Sequence, residues 1–167
     1  MNCWRIELPN TWEEYVASLS KSHRKQVRRV ERRLLETGKA QLQTAQTLGE
    51  LEQGMEILID LHRRRRQSLG EKGCFQCPQF AGFLNEAAQR LFRQDCLQLH
   101  WMELAGRPVA AEFHLLGGRT IYAYQAGIDP DALAEEPGRI MTIAVLKKAI
   151  AEGWRSFDFL RGDESYK

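Results

Sequence analysis

The spacing of apolar and polar residues along this chain shifts from mainly helical to mainly strand-like between Phe92 and Leu97. Before that point the spacing is mostly helical. A short strand comes first, Trp4, Ile6 and Leu8 alternating with Arg5 and Glu7 and ended by Pro9. Thr11 and Glu14 then make a capping box for a short helix with Tyr15, Val16 and Leu19 inward. Ser20 or Ser22 caps the next, which runs to about Gly38 on a stripe of Val27, Val30 and Leu34. Thr47 and Glu50 open a third, carrying Leu51, Met55, Leu58 and Leu61, then Arg63 to Arg66, and ending near Gly70. Gly70 to Pro78 reads as loop. Pro78 begins a helix with Phe80, Phe83, Leu84, Ala87, Leu91 and Phe92.

From Leu97 the period is two. Leu97, Leu99, Trp101 and Glu103 alternate with Gln98, His100 and Met102. After a tight turn at Ala105 to Arg107, Val109 to Leu116 puts Ala110, Glu112 and His114 on one face. Gly117-Gly118 is a hairpin turn. The stretch from Arg119 to Pro130 is the central strand, with Ile121, Ala123, Gln125 and Gly127 expected on one face and Tyr122, Tyr124 and Ala126 on the other. Pro137 suits the first turn of a helix from about Gly138 to Glu152, where the amides of Gly138, Arg139 and Ile140 would be free to hold an anion. That helix is apolar nearly all round, so it should be buried. Ser156 to Leu160 is a last strand, parallel to the central one because a strand–helix–strand unit closes that way. The order predicts an α+β fold with a mixed sheet.

A length of 167 residues sets one domain as the expectation, and 43% hydrophobic residues suffice for a core. The net charge of +2 is small but uneven: residues 1–70 hold 13 Lys/Arg against 9 Asp/Glu, the remainder 11 against 13. Residues 21–33 hold seven of these cations and one acid. They are either a solvated face or a surface for an anionic partner such as tRNA, a sugar nucleotide or a charged glycan. No apolar run approaches ~18 residues, so no membrane span is expected. Four cysteines without a dense framework and no leader pattern fit a cytoplasmic setting. Cys74-x-x-Cys77 is a single pair, and no metal site is read from it.

Several stretches together resemble the GNAT acyltransferases, in particular their Fem-type and CelD-like branch, found as GNAT domains of polysaccharide-biosynthesis proteins. They are Ser20 to Arg29, Leu61 to Arg65, Gly106 to Ala111, Gly127-Ile128-Asp129-Pro130, Pro137-Gly138, and Phe157 to Lys167. The family phosphate loop is Q/R-x-x-G-x-G/A. Glu135 and Ile140 depart from it and Gly138 agrees. The Fem-type branch shares the departure, and some of its members use aminoacyl-tRNA. The full fold adds a further helix and two strands after the point where this chain stops. The expectation is therefore the C-terminal unit or a fragment of a longer protein, with an open sheet edge at which two copies could pair.

The resemblance implies N-acyl transfer from acetyl-CoA or another acyl-CoA, as co-substrate, to an amine of a small molecule or glycan precursor. Alternatives are an aminoacyl-tRNA donor, or a non-catalytic module in polysaccharide assembly. Direct attack needs positioning, a proton acceptor and oxyanion donors. Gln125, Ala126 and Gly127 are the candidate backbone donors, and Pro137, Gly138, Arg139, Ile140 and Met141 would hold the carrier. Glu112, His114 and Asp158 are candidate bases, and Tyr124 a candidate hydroxyl for the leaving thiolate. Arg161, Asp163, Tyr166 and Lys167 would contact the acceptor or the anionic donor.

Overall fold

A computed structural model describes residues 3–161. A six-stranded sheet in the order β1-β6-β5-β4-β3-β2 divides two helical layers. The strands are β1 (Cys3–Glu7), β2 (Ala40–Thr44), β3 (Leu97–Leu104), β4 (Arg107–Gly117), β5 (Thr120–Ile128) and β6 (Ser156–Arg161). On one face lie α1 (Trp12–Ser18), α2 (Lys21–Val30) and α5 (Pro137–Ala151). On the other lie α3 (Leu48–Ser68) and α4 (Pro78–Phe92). No helix among the described residues is long and apolar enough to cross a membrane.

The capping boxes at Thr11/Glu14 and Thr47/Glu50 form as their spacing predicts, each hydroxyl accepting the amide three residues on. α5 is buried over most of its circumference because the sheet lies on one side of it and α1 and α2 on the other. Glu31, 1% exposed, ties these helices together. Its carboxylate accepts from Trp12 Nε1 at 2.8 Å, Lys147 Nζ at 2.6 Å and Arg28 Nη1 at 3.1 Å. Burial alone would raise the Glu31 pKa. The hydrogen bonds from Lys147 and Trp12 and the charges of Lys147 and Arg28 override it and hold the group below its usual value.

The structure departs from the sequence expectations in four places. β2 lies in a stretch, between Gly38 and Thr47, to which the sequence reading assigns no element; its alternating glutamines suit a sheet edge, where one side faces water. The helix expected to run on to Gly38 changes to a π turn over Glu31–Leu35, which lets Glu31 point inward. The outer edge of β6 is not open, because β1 pairs with it antiparallel, Arg5 opposite Asp158 and Glu7 opposite Ser156. Finally, β5 does not alternate cleanly. Phe113 pairs with Gln125 and His114 with Ala123, leaving Tyr124 as the extra residue of a bulge. Ile121 and Ala123 therefore face α5, whereas Gln125 and Gly127 face α3.

Candidate functional site

β5 and β6 run side by side for three residue pairs only, ending at Tyr122–Asp158. Beyond that pair β6 turns away. Leu160 takes a left-handed φ of 54°, and its amide is held by Asp158 Oδ1 at 2.7 Å. Among the described residues β5 continues to Ile128 bonded to β4 alone, which leaves one of its backbone edges bare there. The Asp129 amide donates to Val109 O at 2.8 Å. Alternation then turns the Gln125 and Gly127 amides to β4, and those of Ala126 and Ile128 to the gap. Of the three expected donors, Ala126 alone presents its amide there, and Ile128 joins it.

Gly127 has a packing reason. A Cβ on it would meet His62 N at 2.8 Å and Leu58 O at 2.9 Å, because the backbone of α3 crosses β5 at this point. The crossing is pinned by Arg64, whose Nη2 donates to Asp129 Oδ1 at 2.6 Å and Asp131 Oδ2 at 2.8 Å. Arg63 and Arg66 also bond internally, to Phe75 O and to Glu71. Three of the four consecutive arginines are therefore structural.

The gap leads to the amino end of α5. Glu136 is its N-cap in a left-handed conformation, φ 55° and ψ 52°. The Arg139 and Ile140 amides both donate to Glu136 O, at 3.0 and 3.2 Å, so of the three amides expected free only Gly138's has no acceptor among the described residues. Pro137, Ile140 and Met141 are buried in the core, and Arg139 reaches the Glu136 carboxylate at 2.7 Å.

The candidate bases lie on opposite faces. Glu112 and His114 share the α5 face, with His114 Nε2 2.8 Å from Glu112 Oε2. His114 is fully buried, and its Nδ1 has no partner among the described residues. Behind it lies His100, whose Nδ1 is 2.8 Å from Thr44 Oγ1. Burial, then the charges of His114 and Lys148, push the His100 pKa well below the imidazole range. Asp158 and Tyr124 face the other way. Tyr124 packs on Phe113, ring centroids 5.9 Å apart, and Asp158 caps its own turn with one oxygen. Beside them is a cluster the sequence did not bring together. Cys74 Sγ is 3.7 Å from His62 Nε2 and 3.9 Å from Gln125 Oε1. His62 is buried, which lowers its pKa, as does Arg66; burial raises that of Cys74. Nothing in the sequence marks this cluster; in the fold Gly73 packs against it, since a Cβ there would lie 2.7 Å from His62 Cε1. The side chain of Arg161, together with Asp163, Tyr166 and Lys167, lies outside the described residues.

A parted pair of parallel strands leading to a helix amino end is the layout expected of the resemblance, and a family comparison decides it. The family described as Acetyltransferase (GNAT) domain matches residues 21–167. The chain belongs to the GNAT acetyltransferase domain family.

Solved structures carry the same fold. FemX superposes with a TM-score of 0.74 at 10% identity, over 98% of this chain and 53% of that one. A conserved protein of unknown function from Bacteroides thetaiotaomicron gives 0.62 at 12%, over 95% and 50%. An aminoglycoside acetyltransferase from an uncultured soil metagenomic sample, in complex with sisomicin, gives 0.56 at 16%, over 78% and 83%. The chain thus spans about half the length of the first two. No curated protein matches it in sequence.

GNAT domains in general take an acyl-CoA as co-substrate. The residues here fit one: the Ala126 and Ile128 amides on the β5 edge would be the donors to an acyl carbonyl, the Gly138 amide would remain for a phosphate, and Arg29 of α2 lies 4.0 Å from Glu136 at the same helix end. One feature is adverse, the Glu136 carboxylate at the same helix end, and Arg139 offsets its charge.

Proposed function

We propose that this GNAT domain moves an acyl group from acyl-CoA to an amine of a sugar, amino acid or cell-envelope or polysaccharide precursor. The observation that carries the reading is the parting of β5 and β6 after Tyr122–Asp158, which bares β5 just ahead of α5. The amine nitrogen attacks the thioester carbonyl, the C–N bond forms as the C–S bond breaks, and the thiolate leaves as CoA with a proton from the Tyr124 hydroxyl, which solvent restores. The Ala126 and Ile128 amides orient that carbonyl, and Gly138 and the α5 dipole favour the carrier's phosphates. The acceptor amine enters on the α3 face, among Tyr122, Tyr124, Gln125 and Cys74. Asp158 stands at the vertex of the gap on that face, and its second oxygen takes the amine proton. Glu112 and His114, on the α5 face, border the gap from the donor side.

Thermal shift with acetyl-CoA tests the reading. Stabilisation should follow RT ln(1 + [L]/Kd), about 2.7 kcal/mol at a hundredfold excess over Kd. It should vanish in Gly138→Glu and survive in Gly138→Ala, whose added methyl meets only Ile128 Cδ1, at 3.1 Å. No shift in the wild type sinks it. Against a panel of amines, Asp158→Asn should lower kcat by about 10²–10⁴-fold, and an unchanged kcat removes Asp158 from the role. A second reading, an aminoacyl-tRNA donor, draws on the seven cations of residues 21–33. A salt-sensitive shift with tRNA and none with acetyl-CoA would favour it.

A further inference from the structure

We propose that a basic hollow on α2 binds the 3′-phosphate of the CoA carrier, an assignment that rests on the acyl-CoA reading above. Lys25, Arg29, Arg32 and Arg33 line a hollow of about 350 Å³. They recur at helical spacing on one flank of α2 and the π turn that follows it. Val27 and Val30 are buried on the other flank, which fixes the cationic side outward. All four cations are exposed. Among the described residues no carboxylate lies within 4.0 Å of Lys25, Arg32 or Arg33, and Arg29 has only Glu136, at 4.0 Å. Glu31 does not compensate them, since it is buried on the far side with Arg28 and Lys147.

Four like charges around one hollow, only Arg29 among them with a carboxylate of the described residues as near as 4.0 Å, repel one another, and a bound dianion relieves all of them at once. A phosphomonoester offers three acceptor oxygens to guanidinium forks, the strong form of such contacts. The location selects which phosphate. Arg29, which lines the hollow, comes within 4.0 Å of Glu136, the N-cap of α5, so the hollow adjoins the end that would hold a pyrophosphate. The next phosphate along the same carrier, on its ribose, is then the group within reach. The hollow is the size of a small ligand's site rather than a polymer's track. It has no aromatic lining on which bases could stack.

Calorimetry with CoA and 3′-dephospho-CoA at two salt concentrations tests the assignment. The wild type should bind CoA at least tenfold more tightly than dephospho-CoA, with the ratio falling as salt rises. Arg32→Gln/Arg33→Gln should bring the ratio close to one while dephospho-CoA affinity stays put, and Lys25→Gln/Arg33→Gln should do the same. Arg90→Gln, on α4, should leave it unchanged. Equal binding of the two ligands by the wild type overturns the assignment and leaves the acyl-CoA reading standing, as does a ratio that survives both double variants. If neither ligand binds, the acyl-CoA reading falls and takes the assignment with it. If bulk tRNA binds and loses affinity in the same double variants while CoA and dephospho-CoA remain equal, the hollow serves RNA and the assignment is wrong.

Discussion

A methyl group at Gly127 would be driven into the backbone of α3, with Leu58 O and His62 N both under 3 Å from it. Neither atom can step aside without moving the helix. Gly127→Ala should therefore destabilise the fold by about 1–3 kcal/mol, read as a lower urea midpoint at unchanged slope. A midpoint within error of wild type would mean that α3 does not press on β5. This glycine shows how far single residues could be read. Its position on the central strand was legible from alternation up to Ala123. The bulge at Tyr124 was not, because an extra residue in one strand leaves no mark on the hydrophobic pattern. It turned Gln125 and Gly127 to the opposite face and replaced two expected gap-facing amides by that of Ile128. The His62–Cys74–Gln125 cluster was illegible for a related reason: α3, a loop and β5 meet only in the folded chain.

Elements were more legible than residues wherever propensity and packing agreed. The capping boxes, the arginine-ended α3 and the buried α5 carry their burial on their own sequence. β2 does not, since its glutamines balance a weak apolar signal, and its strand identity comes from pairing with β3. The amino end of α5 illustrates an element working against its own chemistry. Glu136 holds a left-handed conformation that costs an ordinary residue roughly 1–2 kcal/mol, and it places a carboxylate where phosphate is expected. Glu136→Gly removes both penalties. It should raise the melting temperature and tighten acetyl-CoA binding, the second effect shrinking as salt rises. A weaker CoA affinity in this variant would show that the carrier lies elsewhere.

At the scale of the whole molecule, each sheet face buries a histidine in neutral form. His62 sits on the buried side of α3, and His100 on β3 beneath the α5 layer. Burial comes first among the causes that hold both pKa values below the ordinary imidazole range. The sign follows from linkage. Both groups stay neutral in the folded state while the unfolded chain takes up protons near pH 6.5, so the stability they contribute is present above that value and falls as the pH drops toward their folded values. Each contributes a slope of at most about 1.4 kcal/mol per pH unit. Urea midpoints measured from pH 7.5 down to 5.5 should decline, and His100→Gln should flatten the decline. A flat wild-type profile would show that both histidines protonate freely in place.

The pairing of β1 with β6 has a kinetic consequence. Cys3 and Arg161 face each other in register, though nearly the whole described chain separates them. Such a closure is entropically late. The wedge between β5 and β6 gains its outer wall only when the earliest and latest described segments meet, long after β3, β4 and β5 have zipped through short hairpins. Pulse-labelled exchange during refolding should find the meander protected first, and the capacity to retain a thioester carrier arriving last of all.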